Sequence, residues 1–538
     1  MEPRLGFCHC AGLRGRGLER RAEKCTTNSG RRKFVREVRA SASSSGSNGQ
    51  AGELPSTDEH QPPVYQSPLS TRYASIEMRT VFSDLYRFRL WRKLWIALAD
   101  SERALGVEIT EEQVEALRQA PDVDLEMAGR YERELRHDVM AHVHTFGEQA
   151  PSAKGIIHLG ATSCYITDNS ELIQMRNALD LLIPRIWNVV RNLSKFAMEH
   201  KDLATLAYTH YQPAQPTTLG KRACLWAQDF MYDAMKLEQV RDELKFRGVK
   251  GTTGTQASFL SLFNGDHTAV KTLDEMITKE MDFEKKWSVT GQTYTRKQDF
   301  TVVAALAGIG QSCSKMANDI RLLQHMKEVE EPFEKTQIGS SAMAYKRNPM
   351  RSERMSSLSR FLQSLVINPA ETASTQWLER TLDDSANRRL AISEAFLTSD
   401  ALLQLALNVT SGLVVYPKVI QRHLEEELPF MATETILMAA TRKGGDRQAL
   451  HEAIRQHSMA AGQKVKAEGG RNDLIERIRE DPLFSSLQRD LDMYLDSSLF
   501  IGRAPEQVVE FIEDEVLPAL RERGYDETSD VDSGVVLV

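Results

Sequence analysis

The chain has no long apolar run. Nowhere in its 538 residues are there the roughly eighteen uninterrupted apolar side chains that a membrane-spanning helix needs, so none is read from it. Cysteine is scarce and scattered, six in all, at positions 8, 10, 25, 164, 224 and 313 with no CxxC pair. That excludes a disulfide frame and a thiolate zinc site, and suits reduced thiols in a cytoplasmic protein. Phosphate-cradling glycine patterns are missing: there is no GxxxxGK[ST] and no glycine fingerprint after a strand. Alternating β-branched runs bounded by turns hardly occur. Basic excess is missing too, since the formal net charge is -7, which argues against a general nucleic-acid binder.

The first forty residues break that pattern. They carry eleven Lys/Arg against four Asp/Glu, so the rest of the chain holds -14 (-7 minus +7). The Ser-, Gly- and Pro-rich stretch that follows to residue 63 offers little to bury. Residues 1–63 therefore read as a disordered extension; its four acids and the absence of an amphipathic face weigh against an organelle transit peptide.

Helical periodicity dominates the middle of the chain. Leu172, Met175, Leu179, Leu182, Ile186, Val189, Leu193 and Phe196 alternate spacings of three and four. So do Val302, Leu306, Ile309, Cys313, Met316, Ile320 and Leu323. Each is the seam of a helix packed lengthwise against others. Trp226, Phe230, Leu237, Val240 and Leu244 repeat it less cleanly, with Asp233 interrupting, and Pro184 lies off the first seam. The pattern predicts an all-α protein: a helical N-terminal domain over 64–162, a central bundle of long helices over 163–415, and a smaller helical C-terminal domain over 416–538 with a frayed tail. "SGLVVYPKVI" (411–420) marks the end of the bundle, and the stretch between the glycine pairs at 444–445 and 469–470 reads as helix.

No metal centre is legible. The histidines of "HEAIRQH" (451–457) are six apart and do not share a helix face; His137, His142 and His144 are spaced five and two. What remains are polar stretches beside long helices: "RHD" (136–138), "HLGATSCYITDN" (158–169), "THYQPAQPTT" (209–218), "GTTGTQAS" (251–258), "TGQTY" (290–294), "GSSAMAYKRNPMRSER" (339–354) and "ERTLDDSANRR" (379–389). Singly each reads as a loop or a cap; Thr209 or Ser385 suits a helix start. Together they repeat hydroxyls, amides, histidines and arginines with few carboxylates, a set suited to a substrate with several negative charges.

"GSSAMAYKRNP" resembles the signature loop GSSxMPxKxNP of the fumarase/aspartase superfamily. With "RHDVMAHVHTFG", "HLGATSCY", "THYQPAQPTT" and "RTLDDSANRR", the chain from about Ser67 onward is similar to the adenylosuccinate lyases of animals. The resemblance implies a three-domain fold whose long-helix bundle tetramerises, with active sites shared between subunits. It also implies fumarate release by β-elimination from adenylosuccinate, giving AMP, and from the succinylcarboxamide ribotide SAICAR, giving AICAR, with no cofactor or metal. By residue-wise match Ser340 is the base and His210 the acid; His137 and Lys346 complete the catalytic set. Arg72, Tyr73, Arg136, Asp138, Thr162, Ser163, Thr209, Gln292, Asn348, Arg354, Arg380, Ser385 and Arg389 are expected to hold a small anionic nucleotide, with neither nucleic acid nor membrane as partner. The alternatives are another fumarate-releasing lyase, such as one acting on argininosuccinate, or an inactive crystallin-like relative. One departure stands out: Ala344 occupies the place of the family's proline, which predicts a more mobile loop.

Overall fold

The computed structural model describes residues 64–525; the reading of residues 1–63 as an extension and of the tail from Asp526 as frayed lies outside them. Within this span the longer helices are α1 (Asp84–Ala104), α2 (Leu125–Leu135), α3 (Asp138–Gln149), α4 (Ser163–Glu199), α5 (Leu219–Glu243), α6 (His267–Glu280), α7 (Lys297–His325), α8 (Met350–Leu365), α9 (Asp383–Thr410), α10 (Pro417–Met431) and α11 (Arg447–Glu468). α4, α5, α7, α8 and α9 pack side by side as the bundle. Every residue of the α4 and α7 seams is buried, as are Trp226, Phe230, Leu237 and Val240 of α5. Full burial of one such side chain is worth about 1.5–3 kcal/mol, so the lengthwise seams are the main source of cohesion. Asp233 is buried in the α5 seam, where it accepts a 2.5 Å hydrogen bond from Ser312 Oγ on α7. Burial pushes its carboxyl up to about 6. Pro184 is accommodated half-buried inside α4.

Helix α9 has an apolar stretch of a length and composition able to cross a membrane, yet 83% of it is buried inside the protein. It packs against α4, α7 and α8 of the bundle. α11 starts at Asp446, which accepts from two backbone N–H groups, and stops at Gly469 in the left-handed conformation, φ 65°. A separate apolar cluster in this part of the chain includes Ile436, Leu450, Ile454, Ile478, Phe484 and Leu487.

The chain is not purely helical. "THYQPAQPTT" lies in an antiparallel hairpin, β1 (Ala204–Thr209) with β2 (Gln212–Thr218), joining α4 to α5. Pro213 and Pro216 in β2 interrupt the alternation that would have announced a strand. Thr209 therefore ends a strand, pairing with Gln212, instead of capping a helix. The cap belongs to Thr218, whose hydroxyl accepts from Lys221 N at the start of α5. Ser385 lies inside the first turn of α9, and Leu382 holds the cap position. A second pair, β3 (Val329–Glu330) with β4 (Val414–Val415), ties the segment leading into the signature loop to the end of α9.

Candidate active site

Three loops converge by backbone contact that only glycine permits. A Cβ on Gly254 (φ 82°) would lie 1.9 Å from Thr290 O, and one on Gly291 would lie 2.5 Å from Glu379 O. Gln292 N donates to Glu379 O at 3.1 Å. Fully buried Arg247 locks the stack: its guanidinium donates to the carbonyls of Gln292 (2.8 Å), Gly248 (3.0 Å) and Gly251 (3.1 Å). Asn169 of α4 accepts from the N–H groups of Arg247 and Gly248 and donates to Gly248 O.

On this platform three of the expected substrate residues meet. Gln292 Nε2 donates to Thr162 Oγ1 at 3.3 Å, and Gln292 Oε1 accepts from Arg380 Nη1 at 2.9 Å. The same nitrogen approaches Cys164 Sγ at 2.6 Å, while Arg380 Nη2 stands 3.8 Å from Asp384. Ser163 opens α4 beside Thr162. Beneath lies a buried charge network. Arg296 bridges Asp168 (3.1 Å) and Asp384 (2.6 Å); Arg388 is bonded by Asp299, Glu171 and the Tyr294 hydroxyl. Burial alone would raise the Asp168 carboxyl, but Arg296 and Arg388 outweigh it and hold it below the usual carboxylate range. Breaking one such buried pair costs about 3–5 kcal/mol, so the first turns of α9, with Ser385 and Arg389, are firmly placed.

Arg389 reaches back to Asp138 at 2.8 Å, joining α9 to the start of α3. His137 caps α3 by accepting from Met140 N through Nδ1 at 3.3 Å, which leaves its Nε2 outward. Arg136 takes a left-handed conformation, φ 56°, at the turn between α2 and α3. His142 is excluded from this surface: it stacks on Phe88 at 3.8 Å, and burial lowers it to about 4. His158, which sequence reasoning did not single out, is held by Trp95 Nε1 at 2.9 Å from its Nδ1. Indole nitrogen only donates, so Nδ1 accepts and the proton sits on Nε2. Burial, followed by the charge of His137, lowers His158 to about 4 and keeps it neutral. Its left-handed backbone, φ 72°, two residues before Gly160 in "HLGATS", marks a constrained position that sequence alone does not show.

The signature loop lies between β3 and α8, and its neck is closed. Gly339 packs so tightly that a Cβ would sit 2.2 Å from Lys346 O, and Asn348 Nδ2 donates to Gly339 O at 2.7 Å. Buried Glu331 accepts from Arg351 N, Ser352 N and Ser352 Oγ, capping α8. Ser340 Oγ accepts from Met343 N at 3.1 Å and from Ala342 N at 3.4 Å. Lys346 is exposed, and its ammonium meets no partner among the described residues. The loop's cations divide: Arg347 faces Glu330 (3.5 Å), Arg351 is bound by Glu334 (2.5 Å) and Pro332 O, and Arg354 lies 5.4 Å over the Tyr73 ring, next to exposed Arg72. Arg347 and Arg351 thus face acidic partners, which leaves Lys346 for a ligand.

His210 stands apart at the tip of the β1–β2 hairpin. Both turn residues, His210 (φ 53°) and Tyr211 (φ 57°), are left-handed, the signature of a type I′ turn. The hairpin packs on α10. Among the described residues no hydrogen bond, ion pair or ring contact joins His210 to the signature loop or to Gln292 and Arg380. One chain therefore gathers Thr162, Gln292 and Arg380, pairs Asp138 with Arg389 and Tyr73 with Arg354, and leaves Ser340 and His210 on separate elements.

Comparison with known proteins shows the family. Residues 80–362 match the family model described as Lyase, and residues 429–511 match that described as Adenylosuccinate lyase C-terminus. The adenylosuccinate lyase of Saccharomyces cerevisiae is 56% identical over 461 residues, covering 85% of this chain and 96% of the yeast protein. That of Schistosoma mansoni is 48% identical over 459 residues, covering 85% and 96%. Among solved structures, a fumarate lyase from Mesorhizobium sp. BNC1 superposes with a TM-score of 0.70 at 23% identity, over 85% of this chain and 100% of that one, which speaks for the fold. With these matches spanning most of its length, the chain belongs to the adenylosuccinate lyase family.

Proposed function

We infer that the chain is a C–N lyase that releases fumarate from adenylosuccinate and from SAICAR, leaving AMP and AICAR. The reaction is a β-elimination. A base takes the proton from the succinyl carbon next to a carboxylate, the C–H electron pair spreads into that carboxylate and then forms the fumarate double bond, and the C–N bond breaks as an acid protonates the departing nitrogen. In our reading Ser340 is the base and His210 the acid, with Lys346 and Asn348 answering the charge that builds on the carboxylate.

The observation that carries the Ser340 assignment is the pair of backbone N–H groups at its Oγ. A serine hydroxyl is far too weak a base unless its alkoxide is stabilised. Hydrogen bonds donated to the charged form favour that form, and the unpaired ammonium of Lys346 six residues on adds positive charge. Thr162, Gln292, Arg380, Ser385 and Arg389 would hold the nucleotide's anionic groups. Asn348 is engaged with Gly339 O in this state, so its donation to substrate requires the loop neck to rearrange.

The separation of His210 from Ser340 favours sites completed by other copies. We propose a homotetramer in which the hairpin tip of one subunit supplies His210 to a neighbour's Ser340 loop. Exposed apolar side chains on the bundle helices support it: Leu225, Tyr232, Phe300, Leu322 and Phe361. The test is fumarate release monitored by absorbance. Ser340→Ala and His210→Ala should each abolish turnover of adenylosuccinate; mixed and reassembled, the two inactive proteins should recover activity. Activity in Ser340→Ala alone would remove the assigned base, and no recovery on mixing would remove the shared site. We also place the protein in the cytoplasm, a reading supported by unpaired buried thiols at Cys164, Cys224 and Cys313; an organelle-directed reporter fused to residues 1–63 would overturn it.

A further inference from the structure

A second basic recess lies against the 250–256 loop. It is a cavity of about 270 Å³ lined in part by Lys250, Lys271, Lys286, His267, Asp274 and Ser288. Asp274, on α6, is built into its wall. Gly248 leaves room for its carboxylate, since a Cβ there would lie 2.1 Å from Oδ1, and Val249 N donates to that oxygen at 2.7 Å. The other oxygen is shared by two ammoniums, Lys250 Nζ at 2.6 Å and Lys286 Nζ at 2.8 Å. Lys250 and Asp274 are both 3% exposed, so one charge pair is already internally neutral. Lys286 shares the Asp274 carboxylate with Lys250, and Lys271, at the exposed rim, stands 4.0 Å from Glu275. Three ammoniums against two carboxylates, Asp274 and Glu275, leave one positive charge in excess at the mouth of this concave space.

We propose that this recess is a second anion site that takes a phosphate or diphosphate group, distinct from the Thr162–Gln292–Arg380 cluster. The excess positive charge attracts an anion, and lysine ammoniums with the Ser288 hydroxyl supply donors of the kind phosphate accepts. The volume of about 270 Å³ falls just below the range of drug-sized ligand pockets, about 300 to 1,000 Å³; it suits the phosphate group itself, with any nucleoside left outside. The recess also abuts the functional platform. Gln256, on its wall, donates from Nε2 to Val249 O at 2.7 Å, and Gly251 O, one residue beyond Lys250, receives Arg247. An occupant therefore braces the loop whose Gly254 packs on Thr290 and whose Gly251 O shares Arg247 with Gln292 O.

Equilibrium dialysis of the full chain against radiolabelled pyrophosphate in phosphate-free buffer tests the site. Two double variants separate it from the other cluster: Lys271→Ala/Lys286→Ala in the recess and Arg380→Ala/Arg389→Ala outside it. The recess variant should lose one class of bound pyrophosphate, its Kd rising at least about tenfold, as expected for the loss of two charge-assisted contacts. The arginine variant should keep that class. Pyrophosphate binding unchanged in the lysine variant, or absent from the arginine variant, overturns the proposal. Competition by ADP would assign the bound group to a nucleotide tail, and failure to compete would assign it to the free anion.

Discussion

Replacing Arg247 probes how the platform works. Its guanidinium makes three bonds to backbone carbonyls that come from both the 248–251 segment and the 290–292 loop. A hydrogen bond from a charged group contributes about 1.5–3 kcal/mol. Lysine at this position keeps the charge and one of the three contacts, so Arg247→Lys forfeits about 3–6 kcal/mol of local cohesion by the same scale. Methionine, close in shape, leaves all three buried carbonyls without this donor, and each unpaired group costs about 1–3 kcal/mol. The loss concentrates on the backbone at Gln292, whose side chain bridges Thr162 and Arg380. We expect kcat/KM for fumarate release to fall about 10- to 100-fold in Arg247→Lys and further in Arg247→Met, a change of about 1.4 kcal/mol per factor of ten. KM should rise more than kcat falls if, as proposed, Gln292 and Arg380 hold the nucleotide. Steady-state kinetics alongside a thermal melt decide it. If Arg247→Met retains wild-type kcat/KM and melting temperature, the guanidinium is not what holds Gln292 in place.

Two other perturbations have defined outcomes. Glu102 is fully buried in α1 with neither carboxylate oxygen bonded among the described residues, and burial pushes its carboxyl up to about 9. A folded-state value above the unfolded 4.5 means that stability is fully present below pH 4.5 and is lost as pH rises toward 9. The slope is about 1.4 kcal/mol per pH unit, so urea midpoints should drop between pH 6 and pH 8 in the wild type and much less in Glu102→Gln; equal drops refute it. Ala344 is exposed on the signature loop and its N–H makes no hydrogen bond among the described residues, so Ala344→Pro should be tolerated, stiffen the tip, and improve KM or kcat several-fold. Identical constants in both proteins would show that mobility at this position does not limit turnover.

The bundle was legible because its seams repeat at a fixed period and nearly every seam residue is buried. The signature loop was legible because its residues carry chemistry in a recognisable order. The hairpin was not: Pro213 and Pro216 break its alternation, and neither His210 nor Tyr211 is a residue that announces a type I′ turn. Nor were Arg247, Arg296 and Arg388. Their partners lie up to 217 positions away, and a lone arginine in a polar stretch gives no sign that it is buried. For the same reason nothing in the sequence of the signature loop shows that Glu330 and Glu334 already occupy Arg347 and Arg351. His158 lacked a signal because its tautomer depends on a tryptophan 63 positions earlier.

The left-handed pair at the hairpin tip carries a cost that evolution could have avoided. Asn-Gly would close this turn with less strain, and such a change should raise the melting point of the hairpin while removing the imidazole proposed as the acid. Selection for thermal robustness and selection for turnover thus pull in opposite directions at positions 210 and 211. Variants enriched for heat resistance alone should accumulate substitutions there and lose activity in step.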